Sequence, residues 1–170
     1  MYFIDASGRS RRWEVLIGAQ NDDTIVGGGG AARLNGGAGS DVIAIGSLDF
    51  RRAVGGSGNG DILRLDSSFN LDLTANRSGK IGNSRFSGIE VIDLNGLGNS
   101  LTLSARDLQH LSDSTNTVKV LGSNSNAVNA DFSDLGFTRS SNSPVVGFTT
   151  YNNGIIMLVV NNNVTQNILL

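Results

Sequence analysis

Aspartate and glycine recur at a nine-residue spacing in the first third of this chain. Three consecutive units beginning at residue 18 read "GAQNDDTIV", "GGGGAARLN" and "GGAGSDVIA". Each unit begins with glycine and carries a large aliphatic residue at position eight. The first and third also carry an aspartate at position six, Asp23 and Asp41. Because calcium takes carboxylate and main-chain carbonyl oxygens as ligands, the chemistry to consider first is calcium binding.

The same spacing predicts the elements that must position these oxygens. Six glycine-rich residues predict a tight turn, because glycine adopts backbone angles that other residues resist. The other three predict a short strand whose central aliphatic side chain points inward. Two units complete one coil of a flattened parallel β-solenoid, so units one, three and five stack on one side, about 4.8 Å apart. A degenerate fourth unit follows, and a fifth begins at Gly55 as "GGSGNGDIL".

The unit "GGAGSDVIA" fits the nonapeptide G-G-x-G-x-D-x-U-x of the calcium-binding RTX (hemolysin-type) proteins, and this resemblance covers residues 18–65. Later segments resemble those that follow the repeats in large bacterial RTX proteins and adhesins exported by type I secretion. These segments are "GGSGNGDILRLDSSFNLDLT", "FSGIEVIDLNGLGNSLTLSARDLQHLSD" and "TVKVLGSNSNAVNA". The ending, "GFTTYNNGIIMLVVNNNVTQNILL", is similar to the tail of such proteins, where an uncleaved secretion signal lies.

The resemblance implies two calcium sites between stacked turns and one to three bound Ca²⁺ ions. The first site would join the carboxylates of Asp23 and Asp41 to the carbonyl oxygens of Asn21, Gly36, Gly37 and Gly39. The second would use Asp41, Gly55, Gly56, Gly58 and Asp61. Gly60 stands where the fifth unit should carry its aspartate, so Asp61 comes one place late. On the opposite side Ala32 replaces the ligand aspartate.

Beyond residue 62 the chain alternates apolar and polar residues, which predicts half-buried strands. One short helix near 105–111 interrupts them as a structural cover. Ser104 is its predicted N-cap and Asp107 the capping partner. Leu108 and Leu111 follow at helical spacing, and His110, the single histidine, is expected on the surface.

The predicted fold class is all-β, a parallel β-roll or β-solenoid with one short capping helix. The chain divides into a lead-in or cap at 1–17, the repeat region at 18–65 and a β-rich region at 66–170. The resemblance places the type I secretion signal in the last part of that region.

Composition argues against several classes of function. The net charge of −2, with no basic stripe, argues against nucleic-acid binding. Without cysteine, neither a disulfide nor a thiolate zinc site can form. The longest apolar run, "IIMLVV", is too short for a membrane span, and the first residues lack the apolar core of a secretory signal peptide. A single histidine and the absence of a Gly-x-Ser-x-Gly motif lead us to expect no enzyme.

Taken with the resemblance, these features predict a non-catalytic extracellular module of a type I-secreted RTX protein, associated with adhesion. Where calcium is scarce, stacked aspartates repel one another and the chain stays open. Outside the cell, calcium fills sites with dissociation constants of roughly 10⁻⁴–10⁻³ M, and binding drives folding. The expected partners are calcium, the type I secretion machinery through the carboxyl-terminal tail, and a cell-surface or polysaccharide ligand.

Three other interpretations stay open. A self-assembling filament, sheath or surface-layer subunit would use the unpaired strand edges at the ends of a solenoid. A carbohydrate- or ice-binding domain would need a regular, flat polar face. A solenoid that has lost most of its calcium would account for Ala32 and Gly60.

Overall fold

The structure is a computed structural model that describes residues 2–6, 14–27, 32–75, 85–112, 114–140 and 145–170. These residues form mostly strands, with one short helix, α1, at Ala105–Leu111. The strands are β1 Phe3–Asp5, β2 Val15–Ile17, β3 Thr24–Gly27, β4 Ala32–Ala38, β5 Val42–Ile45, β6 Phe50–Ser57, β7 Ile62–Leu65, β8 Asn70–Asp72, β9 Phe86–Ser87, β10 Val91–Asp93, β11 Ser100–Ser104, β12 Thr117–Leu121, β13 Ala127–Asp131, β14 Thr138–Ser140, β15 Phe148–Asn152, β16 Met157–Asn161 and β17 Thr165–Leu169. The expectations of a mostly-β chain and of a short helix near 105–111 are confirmed for this part of the chain.

The strands form one large and two smaller sheets. The large sheet has nine strands in the order β1-β3-β5-β7-β10-β12-β16-β15-β14, and the smaller sheets have the orders β2-β4-β6-β9 and β8-β11-β13-β17. All pairs are parallel except β14–β15 and β15–β16. Between successive parallel strands of the large sheet, the chain passes through a smaller sheet. Neighbouring strands therefore come from successive passages of the chain, which we call coils.

Pairing between these strands follows the nine-residue spacing. Ile25 on β3 lies opposite Ile43 on β5, and Leu16 on β2 lies opposite Leu34 on β4, so one coil takes two nine-residue units. The next coil is longer, yet Leu63 on β7 still lies opposite Ile43. Because Ile25, Ile43 and Leu63 are fully buried, the repeated aliphatic residues form a continuous stack in the core.

The glycines of the repeats lie partly within strands. β4 includes Gly36 and Gly37, and β6 includes Gly55 and Gly56. The expected pattern of a six-residue turn and a three-residue strand is therefore wrong for these two strands, which have seven and eight residues. The reason is that backbone pairing continues through the glycines, since Gly37 lies opposite Gly56 in the parallel ladder.

The helix α1 carries the capping box expected from the sequence. The Ser104 side chain accepts a hydrogen bond from the Asp107 N–H, and Asp107 Oδ2 accepts one from the Ser104 N–H at 2.8 Å. Leu108 and Leu111 are buried in the core, whereas His110 is exposed, as expected. No helix in the described ranges is long and apolar enough to cross a membrane.

Coverage of the core differs along the stack of coils. After β13, the rings of Phe132 and Phe137 stack with centroids 4.2 Å apart, and Tyr151 on the antiparallel strand β15 is buried. In the first coil, the inward-facing Ile4 and Leu16 are only partly buried. Among the described residues, the amino-terminal end of the core is therefore the less covered of the two.

Candidate functional site

Glycines at the first position of the repeats bring successive coils into direct backbone contact. A β-carbon added to Gly18 would lie within 3.0 Å of the carbonyl oxygen of Gly36, and one added to Gly36 would lie equally close to that of Gly55. Gly55 stands in the same relation to the Gly88 carbonyl oxygen. Glycine is therefore required at these positions because no side chain fits between the coils.

A second column of predicted ligands runs beside the first and nearer to solvent. Gly39 approaches Asn21 in the preceding coil, and Gly58 approaches Gly39 in the same way. Gly39 has a φ of 133° and Asn21 a φ of 84°, in the left-handed region that favours glycine and asparagine. Gly37 and Gly56 stack similarly. The structure thus brings Asn21, Gly39 and Gly58 together in this outer column and stacks Gly37 with Gly56 in a separate one.

Three aspartates form a buried column within the same coils. Asp23 is 2% exposed, and Asp41 and Asp61 are fully buried. One oxygen of each carboxylate accepts a hydrogen bond from the main chain of the preceding coil: Asp23 from the Tyr2 N–H at 2.5 Å, Asp41 from the Asp23 N–H at 2.8 Å, and Asp61 from the Asp41 N–H at 2.8 Å. Glu90 extends the series by accepting from the Asp61 N–H at 3.1 Å. We call these four acidic residues the carboxylate ladder.

The one-residue displacement of Asp61 in its repeat does not change the backbone pairing between coils. The Ile62 N–H donates to the Asp41 carbonyl at 2.7 Å, and the Val42 N–H donates to the Asp23 carbonyl at 2.8 Å, so Asp61 follows Asp41 as Asp41 follows Asp23. Gly60, with a φ of 136°, takes up the extra residue. The insertion therefore leaves the order of the ladder intact.

The second carboxylate oxygens of Asp23 and Asp41 differ in their hydrogen bonding. Asp23 Oδ2 accepts a hydrogen bond from the Ala19 N–H at 2.8 Å. Asp41 Oδ2 is buried and accepts no hydrogen bond from the described residues. A β-carbon on Gly36 would lie within 3.0 Å of both Asp41 Oδ2 and the Gly55 carbonyl oxygen. The Asp41 carboxylate oxygen and the Gly55 carbonyl oxygen therefore lie near the same side of Gly36. Neither group carries a positive charge that would compensate the buried carboxylate.

The pKa values of Asp23 and Asp41 are shifted in opposite directions. Burial raises the pKa of Asp41, and the neighbouring charges of Asp23 and Asp22 raise it further against the lowering effect of the Asp23 N–H. Hydrogen bonds from the Ala19 and Tyr2 N–H groups lower the pKa of Asp23. Asp41 is therefore the member of this pair that gains most from a proton or a cation nearby.

The oxygen atoms around Asp41 are the kind of ligand that a hard cation prefers. Most of the ligands would be main-chain carbonyl oxygens. In the described parts of the chain, no group of three or more His, Cys, Asp or Glu side chains is arranged to hold a metal ion. A cation beside Asp41 would therefore draw on carbonyl oxygens such as that of Gly55, and such mixed oxygen sets suit calcium. Occupancy by calcium stays a prediction. Residues 28–31 and the Ala32 side chain, where the sequence predicts a missing ligand, lie outside the described residues.

Sequence reasoning missed a second series of buried hydrogen bonds. Asn99 Oδ1 accepts from the Phe69 N–H at 2.7 Å, and Asn99 Nδ2 donates to the Leu94 carbonyl at 3.0 Å. Asn126 Nδ2 donates to the carbonyls of Asn99 at 3.2 Å and Leu94 at 3.4 Å. We call Asn99 and Asn126 the amide ladder. The signal for it was present, since each asparagine comes five residues after a leucine, in "LNGLGN" and "LGSNSN".

Comparison with protein-family models, with curated proteins and with solved structures found no match for this chain.

Proposed function

We propose that this chain is a non-catalytic, calcium-binding β-solenoid module that works outside the cell. Asp41 carries the proposal: its buried Oδ2 accepts no hydrogen bond from the described residues and lies beside the Gly55 carbonyl oxygen. Burial of an ionised carboxylate is costly without a compensating charge. Calcium supplies that charge and takes oxygen ligands of this kind.

The solenoid is supported by topology and register. Successive coils place parallel strands side by side in the large sheet and in a smaller sheet, and one coil takes two nine-residue units where Ile25 pairs with Ile43. Parallel strands joined through a second sheet stack as repeated coils. The glycine columns then permit the backbone contact that brings carboxylates and carbonyls of adjacent coils together.

Calcium would be held by the oxygens of two neighbouring coil pairs. One site combines the Asp41 and Asp61 carboxylates with carbonyls of the column that includes Gly55. The other combines Asp23 and Asp41 with the column that includes Gly36. When bound, the ion supplies positive charge to carboxylates that the fold buries. The residues of the chain contribute the rest, because main-chain N–H groups orient the carboxylates and glycines keep the coils in contact.

Calcium binding couples to folding by mass action. Extracellular modules bind calcium with dissociation constants of roughly 10⁻⁴–10⁻³ M, so the chain would stay open where calcium is scarce and close after export. The resemblance of residues 18–65 to RTX repeats, and of the last residues to a type I secretion tail, makes a secreted, adhesin-associated bacterial module the specific form of this proposal.

The test is a calcium titration from a chelated start, followed by far-ultraviolet circular dichroism and by the urea midpoint of unfolding. The wild-type chain should gain stability with calcium, by about 2.7 kcal/mol at a hundredfold excess over the dissociation constant, and magnesium at equal concentration should not replace it. Asp41→Asn should lose most of this gain. The matched control, Asp134→Asn, changes an exposed aspartate outside the ladder and should retain it. An unchanged calcium response in Asp41→Asn would falsify the proposal.

Self-assembly is a second candidate, favoured by the amino-terminal end of the stack. Phe3 on β1 is 69% exposed, and Val15 and Ile17 on β2 are 63% and 58% exposed. β1 and β2 are edge strands of their sheets, and apolar edge strands promote strand addition. Static light scattering during the same titration checks this candidate. A molar mass that increases with protein concentration supports filament formation, and a molar mass that stays at the monomer value rules it out.

A further inference from the structure

The outer face of the sheet β8-β11-β13-β17 carries an open groove that the proposed calcium sites do not use. Its volume is about 750 Å³. Six of its lining residues carry side chains that matter here: Thr102, Ser104, Asn129, Asp131, Asn167 and Leu169. The groove lies toward the carboxyl ends of these strands, and none of the four residues of the carboxylate ladder lines it.

Polar side chains form a straight row across this face. Thr102 lies opposite Asp72 on one side and opposite Asn129 on the other, and Asn129 lies opposite Asn167. Neighbouring strands are about 4.8 Å apart, so hydrogen-bonding groups recur at that interval across four strands. The row is therefore regular in both spacing and polarity.

Several groups in the row keep unused hydrogen-bonding capacity. Asn167 Nδ2 donates to Asn129 Oδ1 at 2.9 Å, which fixes the orientation of both amides. Within the described residues, this leaves the Asn129 NH₂ as a donor, Asn167 Oδ1 as an acceptor and the Thr102 hydroxyl as both. Because these three side chains are half-buried or exposed, their free groups are accessible to a ligand.

The charge of the groove selects among ligands. Asp131 lines it, Asp72 stands at one end of the row, and no lysine or arginine is among the lining residues in the described ranges. Hydrogen bonds from the Ser133 hydroxyl and N–H hold the pKa of Asp131 below its usual range, so the groove is negative at neutral pH. Anionic polymers are repelled, and a ligand must be neutral or cationic.

We propose that this groove binds a neutral oligosaccharide, whose hydroxyls pair with the row of Thr102, Asn129 and Asn167. Sugar hydroxyls both donate and accept, which matches a row offering amide donors, amide acceptors and a hydroxyl. The C–H faces of a sugar ring pack on apolar surface, which Leu169 provides at the edge of the groove. A chain of sugars can follow the row because the polar groups recur from strand to strand.

The proposal is tested by nuclear magnetic resonance titration of the calcium-saturated, full chain with maltohexaose, cellohexaose, laminarihexaose and mannohexaose, and with an alginate hexamer as the anionic comparison. At least one neutral probe should shift the side-chain NH₂ signals of Asn129 and Asn167, and alginate should not. Absence of shifts with every neutral probe, or stronger binding of alginate, overturns the proposal.

Two variants locate the binding. Asn129→Ala should weaken binding of the probe about tenfold or more, as expected for loss of one good hydrogen bond. Thr102→Val replaces the hydroxyl with a methyl group of similar size and keeps a β-branched side chain, so the strand is preserved. It should weaken binding about threefold to tenfold. Asn124→Ala, on an exposed asparagine outside the groove, is the matched control and should bind like wild type. Unchanged affinity in Asn129→Ala and Thr102→Val overturns the proposal, whatever the outcome of the calcium titration.

Discussion

The carboxylate ladder and the amide ladder perform the same structural task with different chemistry. In both, a buried side-chain oxygen accepts a main-chain N–H from a neighbouring coil, as Asp41 does from Asp23 at 2.8 Å and Asn99 does from Phe69 at 2.7 Å. The asparagine also carries an NH₂ that donates to nearby carbonyls, such as that of Leu94 at 3.0 Å. An ionised carboxylate has no N–H or O–H group, so it cannot donate a hydrogen bond to the carbonyl oxygens beside it.

This difference indicates which part of the fold can depend on a bound ligand for its stability. The side chains of the amide ladder both accept and donate hydrogen bonds within the protein, so they need no bound ion. The carboxylate ladder leaves Asp41 Oδ2 beside a carbonyl oxygen, so a proton or a cation completes it. If the proposal holds, folding of the amino-terminal coils is coupled to an external ion, whereas folding of the coils around Asn99 and Asn126 is not.

The largest effect should come from placing a charge in the amide ladder. Asn126→Asp replaces an NH₂ that donates to the Asn99 and Leu94 carbonyls with an oxygen that repels them. We expect a loss of roughly 3–5 kcal/mol in the free energy of unfolding, typical of an uncompensated buried charge, measured by urea denaturation at neutral pH. Because burial raises the pKa of the new carboxyl, the loss should shrink as the pH falls toward 4. The exposed Asn124→Asp should stay within about 0.5 kcal/mol of wild type, and an equally small loss in Asn126→Asp would contradict the comparison.

The second effect concerns the glycine that serves the carboxylate ladder. Gly36→Ala places a β-carbon within 3.0 Å of the Gly55 carbonyl oxygen and Asp41 Oδ2. Overpacking of this kind costs about 1–3 kcal/mol, and urea unfolding in chelator should detect it. Gly46→Ala is the control, since its nearest atom would be Ser67 Oγ at 3.5 Å. Equal stability of the two variants would show that the coils can separate at Gly36 without cost.

The fold was predictable from sequence where the signal is local. The nine-residue spacing predicted that Ile25 and Ile43 would stack, because the period of the repeats sets the length of a coil. The helix was predictable because the two residues of the capping box, Ser104 and Asp107, are only three positions apart. In the first case the partners are separated by two regular repeats, and in the second they lie within one helical turn.

The roles of Glu90 and Asn99 could not be predicted in the same way. Glu90 joins the ladder by accepting from an N–H 29 residues earlier, and Asn99 accepts from one 30 residues earlier. No local periodicity specifies such pairs, since the lengths of the intervening segments decide which coils meet. Each of the two predicted sites combined aspartates with main-chain oxygens of the glycine-rich segments, yet the structure separates the buried aspartates from the outer column at Asn21 and Gly39. Burial of a carboxylate depends on packing that one repeat does not contain.

A third prediction uses pH to separate Asp41 from its asparagine counterpart. Burial raises the pKa of Asp41, so its contribution to stability is fully present below the unfolded pKa, about 3.9, and is lost as the pH rises through the folded value. In chelator, wild type should therefore lose stability relative to Asp41→Asn between pH 4 and pH 7, as followed by urea midpoints. Saturating calcium should remove this pH dependence from wild type and leave Asp41→Asn unchanged. A difference between the two proteins that is constant with pH in chelator would mean that Asp41 stays ionised without help.

The smallest effect is expected at Glu90, where the carboxylate ladder already has the donors that Asp41 lacks. Glu90 Oε2 accepts from the Gly60 N–H at 3.2 Å and the Asp61 N–H, while Oε1 accepts from the hydroxyls of Ser112 and Ser114 at 3.3 Å and 3.2 Å. Glu90→Gln can keep its oxygen toward the main chain and turn its NH₂ toward hydroxyls that rotate to accept. We therefore expect a change below about 1 kcal/mol in urea unfolding, against about 1–3 kcal/mol for Glu90→Ala, which leaves buried N–H groups unsatisfied. Equal losses in the two variants would mean that negative charge, and not hydrogen bonding, holds this end of the ladder, and that the coil at Asp61 also depends on a cation.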